Sequence, residues 1–562
     1  RAKIQGTHSC SGKPQDRRTP WNPCLTNNPK IETNLTTTGR MDQSLVRLTD
    51  FTTYSDAHLH FKPERLWELF DGNRDCFNIA HECVDRHATS SERVAVRIVH
   101  ADGRNDTLTF QQLAERSNQF ANLLKAEGIR AGERVAIMLE PEEAYYVALF
   151  GCMKAGCIAV PLFTLFGEDG LKLRIEDCKP AALLTNSEKM PIAKGFSNLK
   201  LWVTGPEFEK QMAAQQSQFS WETKGDDLAC FQYTSGTTRE LPDAIRHTHR
   251  SLVTLMSAAL YGTGIRPGDR FCCPSSIAWG HGLWHGTLAP LALGVETMSY
   301  AGRFDPKRLV QAMQDFGTTN LSAAATHYRL MMNTEELELQ NLKLEKLTFT
   351  GEPIDSETAN FCEVALNQRP RSMYGTTEVG VILVSYPGAI DFEMKPGSLG
   401  KPPPGVDVRI HRPDGSEANP NETGEIVVER RGQWFPTKDL GRKDNDGYFF
   451  HGGRADDVII SAGWTMSAVE IEDAILRHDD VLEAACIGVP DPTRGHVVKA
   501  FLVAKRNNLD LVDEVQNMVR ERLSQHEYPR LIEFVEELPK TPAGKVNRKI
   551  LRDQERSKLE EK

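Results

Sequence analysis

Short apolar runs alternate with amphipathic stretches along most of the chain. The run 134–139 (RVAIML) predicts a buried strand, and Pro141 predicts the first turn of an amphipathic helix that continues to about Lys154. The run 157–161 (CIAVP) predicts the next strand. These three elements form a β-α-β unit, whose crossover is expected to be right-handed.

The same alternation continues beyond residue 161 and indicates the α/β class, with large sheets covered by helices. A turn-rich stretch at 443–447 (KDNDG) and a helix predicted over 469–478 mark a domain boundary near 452–460. Further strands are predicted at 181–185, 228–232, 347–350 and 424–429. We therefore predict a leader at 1–40, a large N-terminal multi-sheet α/β domain at 41–453 and a small, mobile C-terminal α+β domain at 454–562.

The first 40 residues differ from the rest of the chain. They carry seven Lys and Arg residues against two acids, Asp16 and Glu32, and contain few large apolar residues. Such a segment cannot bury enough surface to offset its ordering entropy, and it lacks the apolar core of a secretory signal. We expect a disordered leader, added for expression or translated from upstream sequence, with Met41 as the natural start and folding that begins near Phe77. A transit peptide is the alternative.

Length and composition narrow the class of protein. With 562 residues the chain exceeds the roughly 250–300 residues that one compact core supports, so we expect at least two lobes. No apolar run reaches the roughly 20 residues of a membrane-spanning helix. The net charge of −10 argues against a general nucleic-acid-binding protein, whose surface is usually basic. The twelve cysteines include no CxxC pair, and we expect them to be mostly reduced and buried in a cytoplasmic enzyme.

Four polar segments carry the candidate chemistry. Residues 233–238 (YTSGTT) follow a predicted strand, and such a loop offers backbone N–H groups and hydroxyls to phosphate oxygens. Residues 374–378 (YGTTE) place a carboxylate that can hold Mg²⁺ beside hydroxyls that can meet phosphate. Asp439, followed by Arg454, can bind ribose and phosphate. The segment 538–548 (LPKTPAGKVNR) carries Lys545 on a Pro- and Gly-shaped loop. Each segment alone is a weak signal, and the first alone is compatible with an ordinary Ser/Thr turn, but their order and spacing are specific.

With these four segments in this order, the chain resembles the adenylate-forming superfamily of acyl-CoA synthetases, aryl-CoA ligases, luciferases and peptide-synthetase adenylation domains. The resemblance covers about residues 77–552. The segments 396–404 (PGSLGKPPP), 455–460 and 498–503 are similar to medium-chain acyl-CoA synthetases, and 528–539 resembles benzoate-CoA ligases. The resemblance implies a ligase that uses ATP and Mg²⁺ to form an acyl-adenylate from a carboxylic acid. The acyl group then passes to the thiol of coenzyme A.

The resemblance also implies a role for individual residues. Lys545 is expected to bridge the acid carboxylate and the α-phosphate, Thr377 to contact the α-phosphate, and Glu378 to hold Mg²⁺. Asp456 is expected to be the hinge of a domain rotation, after which Gly463 lines the CoA tunnel. The loop 351–353 is expected to flank adenine, with Tyr374 against its face, and Asp439 is expected to bind ribose with the support of Arg454. The implied ATP- and AMP-binding residues, apart from Thr377, Glu378 and Lys545, are Thr234, Ser235, Gly236, Thr237, Thr238, Gly351, Glu352, Pro353, Tyr374, Gly375, Thr376, Asp439 and Arg454.

The sequence departs from the family pattern after Thr238. The usual second Gly and the usual Lys are missing from Arg239-Glu240-Leu241-Pro242-Asp243, where Asp243 takes the place of the Lys. Either Arg239 or Arg246 can supply the lost positive charge, and a weakened loop is the alternative. Two smaller departures are Ser372, where relatives often have Asp or Asn, and Thr465, where many have Arg.

The predicted acyl pocket is formed by residues 276–286 (SIAWGHGLWHG) and 323–326. Acetate-specific relatives have Trp at the position of Gly375, so we expect an acid larger than acetate: medium-chain, branched or aromatic. The named lining residues are Trp279, Gly280, Trp284, Ala325 and Gly375, and the alternative for the tryptophans is an ordinary core role. His281 and His285 lack a third metal ligand, so we expect satisfied or gate-like histidines. Arg494 and Lys499 are candidates for CoA contacts or plain surface charges.

Two other functions use the same motifs. One transfers the acyl group of the adenylate to a carrier-protein thiol; we predict no carrier domain within these 562 residues, which favours free CoA. The other is a weakened ATP- and acyl-binding sensor, against which Glu378, Asp439, Arg454 and Lys545 are retained. The expected partners are small molecules, with no nucleic acid and no stable membrane insertion, and a homodimer is compatible with the sequence.

Overall fold

The computed structural model describes residues 46–196, 199–233, 244–376, 379–454, 458–461, 464–491, 495–523, 528–541 and 545–560. Its strands form two large, mostly parallel sheets, a five-stranded antiparallel sheet and, in the C-terminal part, a two-stranded and a three-stranded sheet. This architecture confirms the predicted α/β class. The leader predicted at 1–40 lies outside the described residues. No described helix is long and apolar enough to cross a membrane.

The six-stranded sheet contains the β-α-β unit predicted from the sequence. Its order is β6-β5-β3-β4-β7-β8, and every pair is parallel except β7 with β8. The central strands are almost wholly apolar and buried, as strands covered by helices on both faces must be. Its strands are β3 (Arg134–Met138), β4 (Ile158–Pro161), β5 (Ala182–Thr185), β6 (Lys200–Val203), β7 (Leu228–Gln232) and β8 (Ile245–Thr248).

The eight-stranded sheet has the order β14-β13-β12-β11-β9-β10-β1-β2. Its inner pairs are parallel, and the two edge pairs are antiparallel. The carboxyl ends of parallel strands meet at one edge, which is where open α/β sheets bind ligands. Its strands are β1 (Val94–His100), β2 (Asn105–Thr109), β9 (Phe271–Cys272), β10 (Thr297–Ala301), β11 (Asn320–Ala324), β12 (Lys346–Thr350), β13 (Arg371–Thr376) and β14 (Gly380–Val384).

The five-stranded antiparallel sheet has the order β15-β19-β18-β17-β16. It packs on a core of its own that includes Ile426, Val428 and Phe449. Its strands are β15 (Ser398–Gly400), β16 (Val408–His411), β17 (Gly424–Arg430), β18 (Gln433–Lys443) and β19 (Phe449–Arg454). The pairing of β18 with β19 sets Asp439 opposite Arg454.

The C-terminal part has two further apolar cores, one around Ile475 and Val515 and another around Ile487 and Leu538. A two-stranded sheet joins β20 (Val458–Ser461) and β21 (Trp464–Ser467). A three-stranded sheet joins β22 (Val481–Asp491), β23 (Gly495–Ala504) and β24 (Leu531–Phe534). The domain bounds at 453 and 454 stay a prediction.

The helices confirm the predicted alternation, with a shift at one start. The helix predicted from Pro141 begins at Glu143, because Glu142 is extended with φ −151°. The helices are α1 (Tyr54–His60), α2 (Ile79–Cys83), α3 (Phe110–Ala126), α4 (Glu143–Lys154), α5 (Glu168–Cys178), α6 (Met190–Ala193), α7 (Pro206–Ala213), α8 (Ser251–Ala258), α9 (Ala289–Ala292), α10 (Pro306–Phe316), α11 (Ala325–Met332), α12 (Ser356–Ala365), α13 (Ala468–Ile475), α14 (Leu509–Arg522) and α15 (Arg548–Glu560). Short 3-10 helices span Leu48–Asp50, Pro63–Leu69 and Asp85–His87, and π-helices span Ala259–Thr263 and His281–Leu288.

The expectation that folding begins near Phe77 is wrong. Leu48, Leu66 and Phe70 are buried in the core of the large part, and the backbone N–H of Tyr54 donates to Asp391 Oδ1 at 2.6 Å. This segment has short helices and little periodicity, so its apolar residues gave no local signal. Long-range contacts, rather than a regular pattern, order it.

Candidate active site

A cleft of about 1820 Å³ lies between the large part and the C-terminal part. This volume exceeds the roughly 300–1,000 Å³ of a single small-molecule pocket, so the cleft has room for more than one substrate. It is lined by the loops after β12 and β13, by the π-helix His281–Leu288 and by the segment that carries Lys545. The sheet edge and the C-terminal part therefore meet at one place.

Lys545 enters the cleft from the C-terminal part. An antiparallel bridge between Lys540 and Val546 shapes its loop, and the Thr541 backbone N–H donates to the Lys545 carbonyl at 2.7 Å. The Lys545 ammonium lies 5.8 Å from the ring centre of Trp279. The structure thus brings together the predicted catalytic lysine and a predicted wall of the acyl pocket, which are 266 positions apart in the sequence.

The loop at 351–353 faces both of these residues. Gly351 has φ 96°, and a Cβ added there would lie 3.0 Å from Trp279 Cη2, so glycine is required on both counts. Glu352 Oε1 accepts from Thr326 Oγ1 at 2.7 Å and from Arg329 at 3.2 Å. These bonds fix the loop to α11.

Arg329 was missed by the sequence analysis. Its guanidinium also donates to Asp355 Oδ2 at 3.3 Å, and Asp355 caps the first turn of α12. One arginine therefore connects the predicted adenine loop to the helix that follows it. An arginine in the last turn of a short helix carries no sequence signal of this role.

Tyr374 and Asp439, predicted to contact adenine and ribose, lie against each other. The Tyr374 hydroxyl donates to Asp439 Oδ2 at 2.6 Å, and Asp439 is only 5% exposed. The backbone N–H of Asp439 donates to Thr437 Oγ1 at 3.2 Å. Both residues line the cleft, so its far end presents an aromatic face beside a carboxylate.

Gly375 also lines the cleft, but the backbone gives a second reason for glycine. A Cβ there would lie 2.0 Å from the Gly380 carbonyl oxygen, at the register shift between β13 and β14. The hairpin therefore favours glycine here in addition to the reason that the size of the acid gives. Thr376 and Val379 line the cleft on either side of Thr377 and Glu378, which lie outside the described residues.

The wall of the predicted acyl pocket is built on a π-helix, a form often found at functional sites. Trp279, Gly280 and Trp284, which are predicted to line the acyl pocket, line the cleft. Ala325 is not brought there: it is fully buried in the core beside Tyr328. Gln232, at the end of β7, is a further lining residue, and the polar end of an otherwise apolar strand was the signal for it.

His281 is a satisfied core histidine. Its Nδ1 lies 2.9 Å from Ser275 Oγ and its Nε2 lies 2.8 Å from Ser322 Oγ. Burial lowers its pKa, so the ring is neutral at pH 7. The described residues contain no cluster of three or more His, Cys, Asp or Glu side chains that could hold a metal.

The phosphate loop Thr234–Asp243, the hinge Asp456 and the tunnel residue Gly463 lie outside the described residues, as does the side chain of Arg454. Lys499 is described and corrects its prediction: it is buried and pairs with Glu533 at 2.6 Å and Glu555 at 2.7 Å. These pairs hold β24 and α15 together, so Lys499 is not a plain surface charge.

Comparisons with known proteins identify the family of this chain. The family model of the AMP-binding enzyme matches residues 84–434, and the model of the AMP-binding enzyme C-terminal domain matches residues 470–545. Acetyl-coenzyme A synthetase of Bacillus subtilis is 30% identical over 545 residues, which are 89% of this chain and 94% of that protein. Mitochondrial acyl-coenzyme A synthetase ACSM3 of Rattus norvegicus is 29% identical over 85% of this chain and 90% of its own. The crystal structure of Brucella canis acyl-CoA synthetase superposes with a TM-score of 0.70 at 30% identity, covering 91% of this chain and all of that one.

Proposed function

Because this chain belongs to the AMP-binding enzyme family, we propose that Lys545 and Trp279 hold the carboxylate end of an acid larger than acetate. The chain is an AMP-forming acyl-CoA synthetase, which uses ATP with Mg²⁺ and coenzyme A. The identity of the acid and the roles of single residues are the proposal. Medium-chain, branched and aromatic acids are the candidates.

The observation that carries this proposal is the position of the Lys545 ammonium, 5.8 Å from the Trp279 ring. A carboxylate is a poor nucleophile towards an anionic phosphate. A positive charge aimed at the point where negative charge develops lowers the barrier, and fixed walls align the attack. Lys545 supplies the charge, and Trp279 with Gly351 supplies the surface against which the carboxylate is aligned.

The nucleoside is proposed to occupy the end of the cleft formed by Tyr374 and Asp439. The aromatic face stacks on the adenine, and the carboxylate accepts from the ribose hydroxyls. Thr234, Ser235, Gly236, Thr237, Thr238 and Thr377 are proposed to contact the phosphates. Glu378 is proposed to hold Mg²⁺, which neutralises phosphate charge when bound.

The two half-reactions balance without a covalent enzyme intermediate. In the first, a carboxylate oxygen attacks the α-phosphorus, and the bond to pyrophosphate breaks. In the second, the CoA thiolate attacks the acyl carbonyl, a C–S bond forms and AMP leaves with the electrons of the broken C–O bond. The predicted division at 453 and 454, with Asp456 as hinge and Gly463 in the CoA tunnel, gives each half-reaction its own arrangement of the small domain.

The alternatives from the sequence have no observation that favours them. Transfer to a carrier protein and a weakened sensor both use the motifs already assigned. The homodimer and the cytoplasmic location stay predictions, and the rat relative is named as mitochondrial.

Pyrophosphate release tests the proposal directly. The purified protein is given ATP, Mg²⁺ and a series of acids from acetate through octanoate to benzoate and branched acids, with and without CoA. We expect acid-dependent release that accelerates with CoA, gives a thioester and is slower with acetate than with larger acids. Acetate as the best acid would overturn the size proposal. Release that CoA does not affect would support a carrier-protein acceptor, and no release with any acid would support the sensor.

A further inference from the structure

The acyl wall contains a side-chain amide with a free donor. Gln232 is 2% exposed, and its Oε1 accepts from Trp284 Nε1 at 3.0 Å. Because this bond requires an oxygen, it assigns the orientation of the amide and leaves Nε2 as the donor. Nε2 is buried and has no hydrogen-bond partner in the described part of the chain.

Gly280 leaves space beside this donor. A Cβ at position 280 would lie 3.1 Å from Gln232 Nε2, so any side chain there would cover the amide. Gly280 follows Trp279, the residue against which Lys545 lies. The free donor therefore belongs to the same side of the cleft as Trp279.

Two histidines line the same wall. The His247 ring centre lies 4.6 Å from that of Trp284, and the His285 ring centre lies 6.4 Å from that of His281. His247 Nε2 and His285 Nδ1 are buried and lack a partner among the described residues. Burial lowers the pKa of each histidine to about 4, so both rings are neutral at pH 7 and can accept or donate one hydrogen bond.

Three buried, uncharged polar atoms without a partner among the described residues thus belong to side chains that line the cleft. A water molecule that enters the wall beside them can satisfy them in the free enzyme, because water donates and accepts. An alkyl chain that displaces the water leaves them unpaired, which is unfavourable for buried polar groups. A substrate with its own oxygen substituent replaces the lost bonds. A charged substituent is a poorer match, because neutral groups do not compensate for its desolvation.

We infer that the acid carries an uncharged hydroxyl or carbonyl group on its body, recognised by Gln232 together with His247 and His285. Gln232 Nε2 donates to the substrate oxygen, and an imidazole nitrogen accepts from the hydroxyl when there is one. This inference rests on the proposed function and adds a substrate class to it. We therefore expect acids with such an oxygen to be better substrates than the plain medium-chain or aromatic acids that Trp279 and Trp284 alone favour.

Matched acid pairs test the inference. The full chain is assayed for acyl-CoA formation with each plain acid and its hydroxy analogue, across hydroxyl positions on short alkyl and on benzoic acids. For the best pair we expect kcat/KM to favour the hydroxy acid by about 10- to 100-fold, the factor that unpaired buried groups cost. A plain acid preferred in every pair would overturn the inference and leave the proposed function intact. Absence of acyl-CoA with all acids would overturn both.

Two variants separate recognition from support of Trp284. Gln232→Met removes the donor and the acceptor, whereas Gln232→Glu keeps an acceptor for Trp284 Nε1 and removes the amide donor. We expect both to reduce the preference for the hydroxy acid to about threefold or less, since one bond to substrate is lost. Retention of the full preference in Gln232→Glu would show that the residue only holds Trp284. Gln368→Met is the matched control, because Gln368 donates to the Leu344 carbonyl outside the cleft and should keep the preference.

Discussion

The two sides of the cleft are held in place in different ways. On the side of the large part, Gln232, Trp284 and His281 lie in or beside sheet cores, and hydrogen bonds to buried partners fix them. On the other side, Lys545 is carried by a part of the chain with apolar cores of its own. One contact between the two parts joins the Ser356 backbone N–H to Asp473 Oδ1 at 3.3 Å.

This difference indicates that the two sides of the cleft contribute to different steps of the reaction. A wall built into a core gives a constant shape, which acid selection requires, because interiors are close-packed and resist displacement. A cation on a separately packed part can be supplied to one half-reaction and withdrawn from the next. Substitutions on the two sides should therefore affect different steps, and the following experiments test that separation.

The largest effect is expected from Lys545→Ala. Loss of the positive charge near the attacking carboxylate should lower the adenylation rate by about 1,000-fold, within the range for losing one electrostatic stabiliser. A supplied acyl-adenylate should still react with CoA at a rate close to that of the unmodified enzyme. Rapid-quench measurement of acyl-AMP and of acyl-CoA separates the steps.

Lys540→Ala is the matched control for that experiment. Lys540 lies in the same loop but pairs with Glu483 at 2.8 Å, so its removal should change adenylation by less than about threefold. Equal losses in the two variants would mean that the loop, and not the Lys545 charge, is responsible.

Asp456→Pro should produce the next largest effect. Proline fixes φ, so a hinge at this position could no longer rotate. We expect thioester formation to fall by about 100-fold while adenylation is retained, as for other gated steps. Asp456→Ala, which leaves the backbone free to rotate, should form the thioester normally. A similar loss of both half-reactions in the proline variant would contradict the assignment of the hinge.

Gly351→Ala tests the fixed side of the cleft. The added Cβ meets Trp279 at 3.0 Å at a φ of 96°, so the loop beside the nucleotide must shift. We expect kcat/KM for ATP to fall by about 30-fold, corresponding to roughly 2 kcal/mol of strain. Gly415→Ala is the control, because Gly415 has a comparable φ of 84° and no atom within 4 Å of the added Cβ. A comparable loss in both variants would attribute the effect to instability.

The smallest expected effect concerns stability. His249 is fully buried, its Nδ1 accepts from the Ile79 backbone N–H at 3.1 Å, and burial lowers its pKa to about 3. Between pH 6.5 and about 3 the unfolded chain binds this proton and the folded chain does not, so stability falls as pH decreases. At pH 5.5 the loss amounts to about 1.4 kcal/mol relative to neutral pH.

Urea unfolding at pH 7.5 and pH 5.5 measures this loss. In His249→Gln, whose amide oxygen can still accept from Ile79, the difference between the two pH values should be smaller by about that amount. An identical pH dependence in both proteins would contradict the assignment. This pH-dependent loss of stability arises in the large part of the protein, since His249 packs against its core.

The sequence by itself determined the features that follow from neighbouring residues, namely the strands and the order of the polar segments. Buried parallel strands are continuous apolar runs, so β3, β4 and β7 were predicted within about one residue. The four polar segments identified the family because their order along the chain is specific. That information required no contact between distant residues, and it named Lys545, Tyr374 and Asp439 as site candidates.

Only the tertiary structure decided which residues meet. The packing of the C-terminal part against the large part brings Lys545 to Trp279. The packing of β7, β8 and the π-helix brings Gln232, His247 and His285 to the lining of one cleft, and no periodicity predicts such approaches. It also buried Ala325, paired Lys499 with two glutamates and tied the 351–353 loop to Arg329. The physical reason is that a side chain's hydrogen-bond partners come from elements far away in sequence, so the chemistry of the acyl wall exists only once those elements have packed.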